Sequence, residues 1–398
     1  MLSQKALNLK PSPTLSLVAK AKELKDQGHD VISLTVGEPD WATFEVPSKA
    51  GIEAIQKNIT KYTAAAGTIE LRKVIAQQLE KDLGVKYTPS QVAVASGAKY
   101  TIFAALQMLC DAGDEVIIPA PYWVSYPTMV ELAGGIPRIV DTSPEDQFKI
   151  TPHLLEKYIH SKTKAFLFCS PSNPTGISYT AQELEALAKV LRLNPQVVIL
   201  SDDIYNRLNF DGSKVAPHIL QVAPDLADRT FIINGGSKGY SMTGWRIGWG
   251  AGPQKLVTAI ADFQSQSTGS PSSISQYAVL AALQHCDKDI EQVVQKLIQR
   301  RDVALEEMKT VPAFKVAVPQ GAFYLWVDIR ATFGKKFQGQ TIQNSKDFCA
   351  ALLEKFYVAT VPGIECGTEG YMRLSFAVSS EDMKRAIARM KDLVGQLQ

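Results

Sequence analysis

From residue 91 onward, short and nearly continuous apolar runs alternate with stretches of helical spacing. The runs fall at residues 91–95, 115–119, 136–141, 165–169, 197–201, 231–233 and 247–250. Apolar positions recur every three to four residues over 100–109, 122–132 and 183–191, which predicts helices between them. Strands apolar on both faces and separated by helices make a largely parallel sheet covered on both sides. The expected fold is therefore α/β, a mostly parallel seven-stranded sheet flanked by helices. In such a sheet, ligands bind beyond the carboxyl ends of the strands.

The flanking segments read differently. Lys10-Pro11-Ser12-Pro13 predicts an extended arm rather than a helix, because proline fixes φ and removes a donor. A helix over 15–27 stops at Gly28, a strand follows at 31–36, and Gly37-Glu38-Pro39-Asp40 makes a turn. Further helices are expected at 48–58 and 69–83. A long helical region at 275–311 then carries the chain away from the sheet into an α+β unit, with strands at 321–328 and 372–376 and helices at 346–356 and 381–397. This predicts an arm with the first helix and strand (1–45) packing on a smaller C-terminal domain (291–398), and a large domain (46–290). The boundary falls inside the long helix.

Composition narrows the function classes. Of 398 residues, 45% are hydrophobic and 21% charged, with a net charge of +2, so neither nucleic acid nor an acidic membrane is an expected partner. The five cysteines are scattered without a CxxC pair, which suits buried thiols in a reducing compartment, and no metal set is expected. The N-terminus lacks the apolar core of a signal peptide, and no run approaches a membrane span. A cytoplasmic protein is expected.

Candidate chemistry gathers at the expected strand ends. Ser237-Lys238-Gly239 follows the run 230–233, and Arg246 comes eight residues after the lysine within Gly-Trp-Arg-Ile-Gly. Small neighbours leave room for a bulky carbonyl compound to reach the amine, and the arginine suits a phosphate. Taken alone, Lys238 reads more readily as a solvated loop lysine. Ser96-Gly97-Ala98-Lys99 opens a helix, where free backbone N–H groups and the dipole attract an anion. Trp123 could stack on a flat ring or simply fill core. Pro174 keeps Asn173 out of helical geometry, freeing its amide for a cleft. Asp202 could pair with a protonated ring nitrogen and Tyr205 with a ring hydroxyl, although Asp202-Asp203 also fits a loop cap. Arg373, among apolar residues on an expected strand, needs a carboxylate partner.

The order of these motifs resembles the class I aminotransferases, pyridoxal-phosphate enzymes of fold type I whose prototype is aspartate aminotransferase. The resemblance runs from about Pro11 to Val378. It implies that Lys238 is the Schiff-base lysine and proton shuttle, that Asp202 pairs with the pyridine nitrogen, and that Tyr205 and Asn173 bind the ring hydroxyl. Trp123 would stack on the ring. Gly97, Ala98, Lys99, Ser237 and Arg246 would hold the phosphate, with Tyr62 reaching it from a second subunit. Arg373, Asn173 and Gly37, with Trp123, would bind substrate. The resemblance further implies a homodimer with shared active sites, and ping-pong transfer from an L-amino acid, aspartate first, to a 2-keto acid, 2-oxoglutarate first. Aromatic or prephenate transamination and carbon–sulfur lysis are the rivals within the fold. One departure is that Gly235 stands where many relatives carry a phosphate-binding serine.

Overall fold

The computed structural model describes residues 1–3, 6, 7, 9 and 11–398, so Lys10 of the expected arm lies outside the described residues. A two-stranded pair joins the N-terminal β1 (Ile32–Ser33) in parallel to β13 (Val358–Ala359) of the C-terminal part. The central sheet has seven strands: β2 (Val92–Ala95), β3 (Glu115–Ala120), β4 (Ile136–Asp141), β5 (Thr163–Cys169), β6 (Val198–Asp202), β7 (Thr230–Gly235) and β8 (Gly248–Ala251). Their order is β2-β8-β7-β6-β5-β3-β4. All neighbours run parallel except β8, which is antiparallel to both β2 and β7.

Alternation along the strands explains why the runs are continuous. Leu200, Phe231 and Ile233 face one core, while Ile199 and Ile232 face another on the opposite side of the sheet. The first core continues without a break into the C-terminal unit through Phe323, Leu325, Met372 and Leu374. That unit is built on a sheet ordered β14 (Val361–Pro362), β15 (Tyr371–Ser375), β10 (Tyr324–Asp328) and β9 (Lys315–Val316). A small hairpin, β11 (Lys336–Phe337) with β12 (Gln340–Thr341), and the helices Ser345–Phe356 and Ser380–Gly395 complete it. Among the described residues no helix is long and apolar enough to cross a membrane.

Several expected boundaries shift for visible reasons. Pro13 is not part of an extended arm but opens the helix Pro13–Asp26, where its missing N–H costs no hydrogen bond. The strand expected at 31–36 is only β1, because pairing with β13 ends at Ser33↔Ala359. The helix expected from 122 begins at Tyr126, after a turn at 123–125 closed by the Tyr126 N–H on the Trp123 carbonyl. The long helical region is two helices, Ser273–His285 and Asp287–Met308, which meet at Cys286.

Candidate active site

The carboxyl ends of β2, β5, β6 and β7 surround a cavity of about 280 Å³. Eleven of the thirteen expected site residues line it, from Gly37 to Arg373. Gly97 lies just beneath: its φ is +97°, and a Cβ there would stand 2.6 Å from Nη2 of Arg246. Tyr62 does not reach the cavity within this chain, and it is 96% exposed.

The lysine turn hangs between β7 and β8. Ser241 and Arg246 both have positive φ, 52° and 50°, an uncommon conformation for non-glycine residues and one that clusters at functional sites. The Arg246 Nη1 donates to the Thr243 carbonyl at 2.8 Å, which steadies the guanidinium beside the turn at Gly97. Since β8 runs back along β7, Gly248 pairs with both Ala95 and Gly235. A Cβ at Gly248 would stand 2.4 Å from the Ala98 nitrogen, so only glycine lets β8 reach the start of that helix. The glycine at 235 has a similar cause and is not simply room for a ligand. A Cβ there would lie 3.0 Å from the Gly248 Cα and 3.0 Å from the Ile247 carbonyl oxygen.

The Lys238 amine donates to the Gly37 carbonyl at 2.6 Å. Burial, helped by Arg246 and Arg373 and opposed by Glu38 and Asp202, lowers its pKa to about 8. Asp202 ends β6 facing the cavity. Burial raises its pKa to about 6, against the Tyr126 hydroxyl that donates to Oδ2 at 2.5 Å and the Ile204 N–H on Oδ1 at 3.3 Å. Its neighbour Asp203 points to the opposite side, taking a 2.6 Å bond from Ser201 and standing 3.3 Å from His218 Nε2. The two adjacent aspartates thus occupy different environments.

Arg373, on β15, donates to Asn173 Oδ1 at 2.9 Å and to the Thr35 carbonyl at 2.6 Å, with Tyr324 beneath it at 4.6 Å. Its Nε is buried and has no partner among the described residues. A buried charged donor left unpaired is costly unless a ligand completes it. The Tyr205 and Tyr324 hydroxyls are 2.8 Å apart. Lys99 holds its amine 5.0 Å from the Trp123 ring centre, and burial, followed by Arg246, lowers its pKa.

Four cationic side chains, Lys99, Lys238, Arg246 and Arg373, line the cavity against the single carboxylate of Asp202. The site therefore suits a ligand bearing several negative groups. Tyr126 and Tyr324 are wall residues that the sequence reasoning missed. Tyr126 falls three residues after Trp123, and Tyr324 sits in an alternating apolar strand, so both read as core.

The profile of class I and II aminotransferases matches residues 29–390. The aspartate/prephenate aminotransferase of Nitrosomonas europaea is 42% identical over 395 residues, covering 99% of each chain. Among solved structures, the aspartate aminotransferase of Rhizobium meliloti superposes with a TM-score of 0.96 at 37% identity over the whole of both chains. The Thermus thermophilus aspartate aminotransferase with maleate reaches 0.92 at 37% identity over 99% of each.

Proposed function

Since the chain belongs to the class I and II aminotransferases, we propose that it moves the amino group of aspartate to 2-oxoglutarate with Lys238 as the proton carrier. The observation that carries this reading is the convergence of the half-buried Lys238 amine, the cavity-facing Asp202 and the incompletely bonded Arg373 on one cavity. Maleate, a four-carbon dicarboxylate, in the Thermus thermophilus relative suits the same substrate class.

Pyridoxal phosphate is the cofactor of the family, and the residues present fit it. Lys238 offers an amine for its carbonyl, and Asp202 a carboxylate for its ring nitrogen. Trp123 offers a face, and Tyr205 and Asn173 offer groups for its hydroxyl. The backbone N–H groups of Ala98 and Lys99, with Ser237, Arg246 and the opening left by Gly97, make an anion cradle at the N-terminus of the helix Ala98–Leu109. When bound, the cofactor supplies an electron sink for the pair left at Cα of an amino acid that loses its proton.

The protein's own groups supply the rest. Arg373 and Asn173 hold the α-carboxylate, with the Gly37 backbone beside them, and fix the direction of the Cα–H bond. Lys238, its pKa lowered to about 8, takes that proton and later returns it. Asp202, ionised above about pH 6, would favour a proton on the cofactor's ring nitrogen. The Lys99 amine adds a cation toward the far carboxylate of a dicarboxylic substrate. Prephenate as the alternative acceptor is favoured by one observation, the name carried by the Nitrosomonas europaea relative. We read the active enzyme as a cytoplasmic homodimer in which Tyr62, exposed here, reaches the partner's phosphate cradle. We read the chain as divided at 45 and 290 into an arm, a large domain and a small domain.

The test is a panel of amino acids assayed with 2-oxoglutarate and with prephenate, in the natural protein and in Lys238→Ala. Aspartate should lead as donor, and Lys238→Ala should lose transamination by several orders of magnitude. Substantial turnover in Lys238→Ala would overturn the assignment.

A further inference from the structure

Residues 35–43 are held in an unusual way. Among the described residues, no backbone N–H or carbonyl of this segment bonds to another backbone group. Four of its carbonyls are taken by side chains instead: Thr35 by Arg373 at 2.6 Å, Gly37 by Lys238 at 2.6 Å, Trp41 by Ser241 at 2.9 Å and Thr43 by Ser48 at 3.5 Å. Side chains within the segment also reach out. Glu38 accepts from Thr243, and Thr43 bonds both the Ser241 carbonyl and the Trp245 indole. Apart from Ser48, in the helix Glu45–Gln56 that follows, all of these partners belong to the lysine turn or to the substrate-facing arginine.

One tether comes from elsewhere. Arg300, in the middle of the helix Asp287–Met308, makes a two-pronged ion pair with Asp40, at 2.8 Å on each prong. Its guanidinium also lies 5.3 Å from the Trp41 ring, with Lys296 at 4.9 Å from the same ring. The Arg300 side chain is only 9% exposed, so the pair is shielded where a surface ion pair would be screened. Arg300 does not line the cavity.

The two tethers at Thr35 and Gly37 use groups with other work to do. The Lys238 amine and the Arg373 guanidinium engage cofactor and substrate on the reading above, on which this inference rests. While they do so, the segment depends on Ser241, Thr43, Glu38 and the ion pair of Asp40. We propose that Arg300 is a positioning residue of the active site, which through Asp40 sets where the Gly37 backbone stands against Lys238 and the substrate carboxylate. The long helix, which leads into the C-terminal unit, thereby fixes one wall of the substrate site without touching it.

The test compares Arg300→Met, Asp40→Asn, the double variant and Arg300→Lys. In cofactor-free protein, chymotryptic cleavage after Trp41 should speed up about tenfold in either single variant, equivalent to ~1.4 kcal/mol of local stability. It should speed up no further in the double variant, because the two side chains act as one unit. Amide hydrogen exchange along the helix Asp287–Met308 and the melting temperature should stay as in the natural protein. In the loaded enzyme, the KM for aspartate should rise about tenfold in Arg300→Met with kcat within about twofold, and Arg300→Lys should recover part of the loss. Unchanged cleavage after Trp41 would overturn the proposal. So would faster exchange along the whole helix with kcat lost alongside KM, which would mark Arg300 as structural only. If Arg300→Met does not fold, Asp40→Asn decides, since the Asp40 side chain is partly exposed. The cleavage result stands apart from the assigned reaction, whose own failure would show as turnover retained in Lys238→Ala.

Discussion

Two walls of the cavity are made in opposite ways. The wall at Asp202 is the end of a strand in mid-sheet, with β5 and β7 on either side and the carboxylate held by Tyr126 and the Ile204 N–H. The wall at Gly37 is a segment without backbone pairing among the described residues, suspended from side chains of the lysine turn, β15 and the long helix. The sheet resists displacement of a single residue, since moving one strand end breaks a whole ladder of hydrogen bonds. The suspended segment can move by giving up one side chain at a time. Groups that stabilise charge at the reacting atoms belong on the rigid wall, and groups that admit and orient substrate can sit on the compliant one.

This contrast can be broken by experiment. On the rigid wall, Asp202→Ala should keep the cofactor bound and lose roughly 10²–10³-fold in kcat, as removal of a preorganised electrostatic partner does. Cofactor absorbance and steady-state rates read the two separately, and natural rates would remove Asp202 from its role. Tyr126→Phe is milder. The Tyr126 bond holds the Asp202 pKa down, so losing it raises that pKa above about 6. Asp202 works ionised, hence activity is lost as pH falls through this pKa. The acid limb of kcat/KM against pH should move toward neutrality, and an unmoved limb would show that Tyr126 does not hold the carboxylate in solution. On the compliant wall, Thr43→Val removes two side-chain bonds worth about 1 kcal/mol each. It should raise KM a few fold and leave kcat alone. A matching loss of kcat would erase the distinction between the walls.

Legibility in the sequence follows the same division. All seven strands of the sheet are signalled by their own apolar runs; in six of them the run reflects burial, a local property of the residues, whereas β4 lies at the sheet edge and buries only Val140 fully. Lys238, Arg246, Asn173 and Asp202 stand out as polar groups placed just where such runs stop. The suspended wall is harder to read. The apolar spacing of 31–36 suggests a full strand, but the ladder with β13 ends at Ser33↔Ala359, and beyond it only Leu34 still bonds backbone, to Ala359 and Ser375, among the described residues. Tyr126 and Tyr324 carry no local sign of their roles, since their partners Asp202 and Tyr205 lie 76 and 119 positions away in sequence. Arg300 likewise reads as the polar face of a helix until folding brings Asp40 to it, 260 residues away.

The reversed strand β8 has a consequence for how this chain can change over time. Lys238 and Arg246 lie in one hairpin connection, pinned at both ends by the pairing of Gly235 with Gly248. Inserting or deleting a residue between them would displace the amine from the guanidinium or slip β8 by one position against β2. A slip of that kind would turn every side chain of β8 to the wrong core. The length of this connection is therefore frozen, whereas the exposed loop around Gly212, where an added Cβ meets only open space, is free to lengthen. Natural variation in chain length should accumulate there and spare residues 236–247.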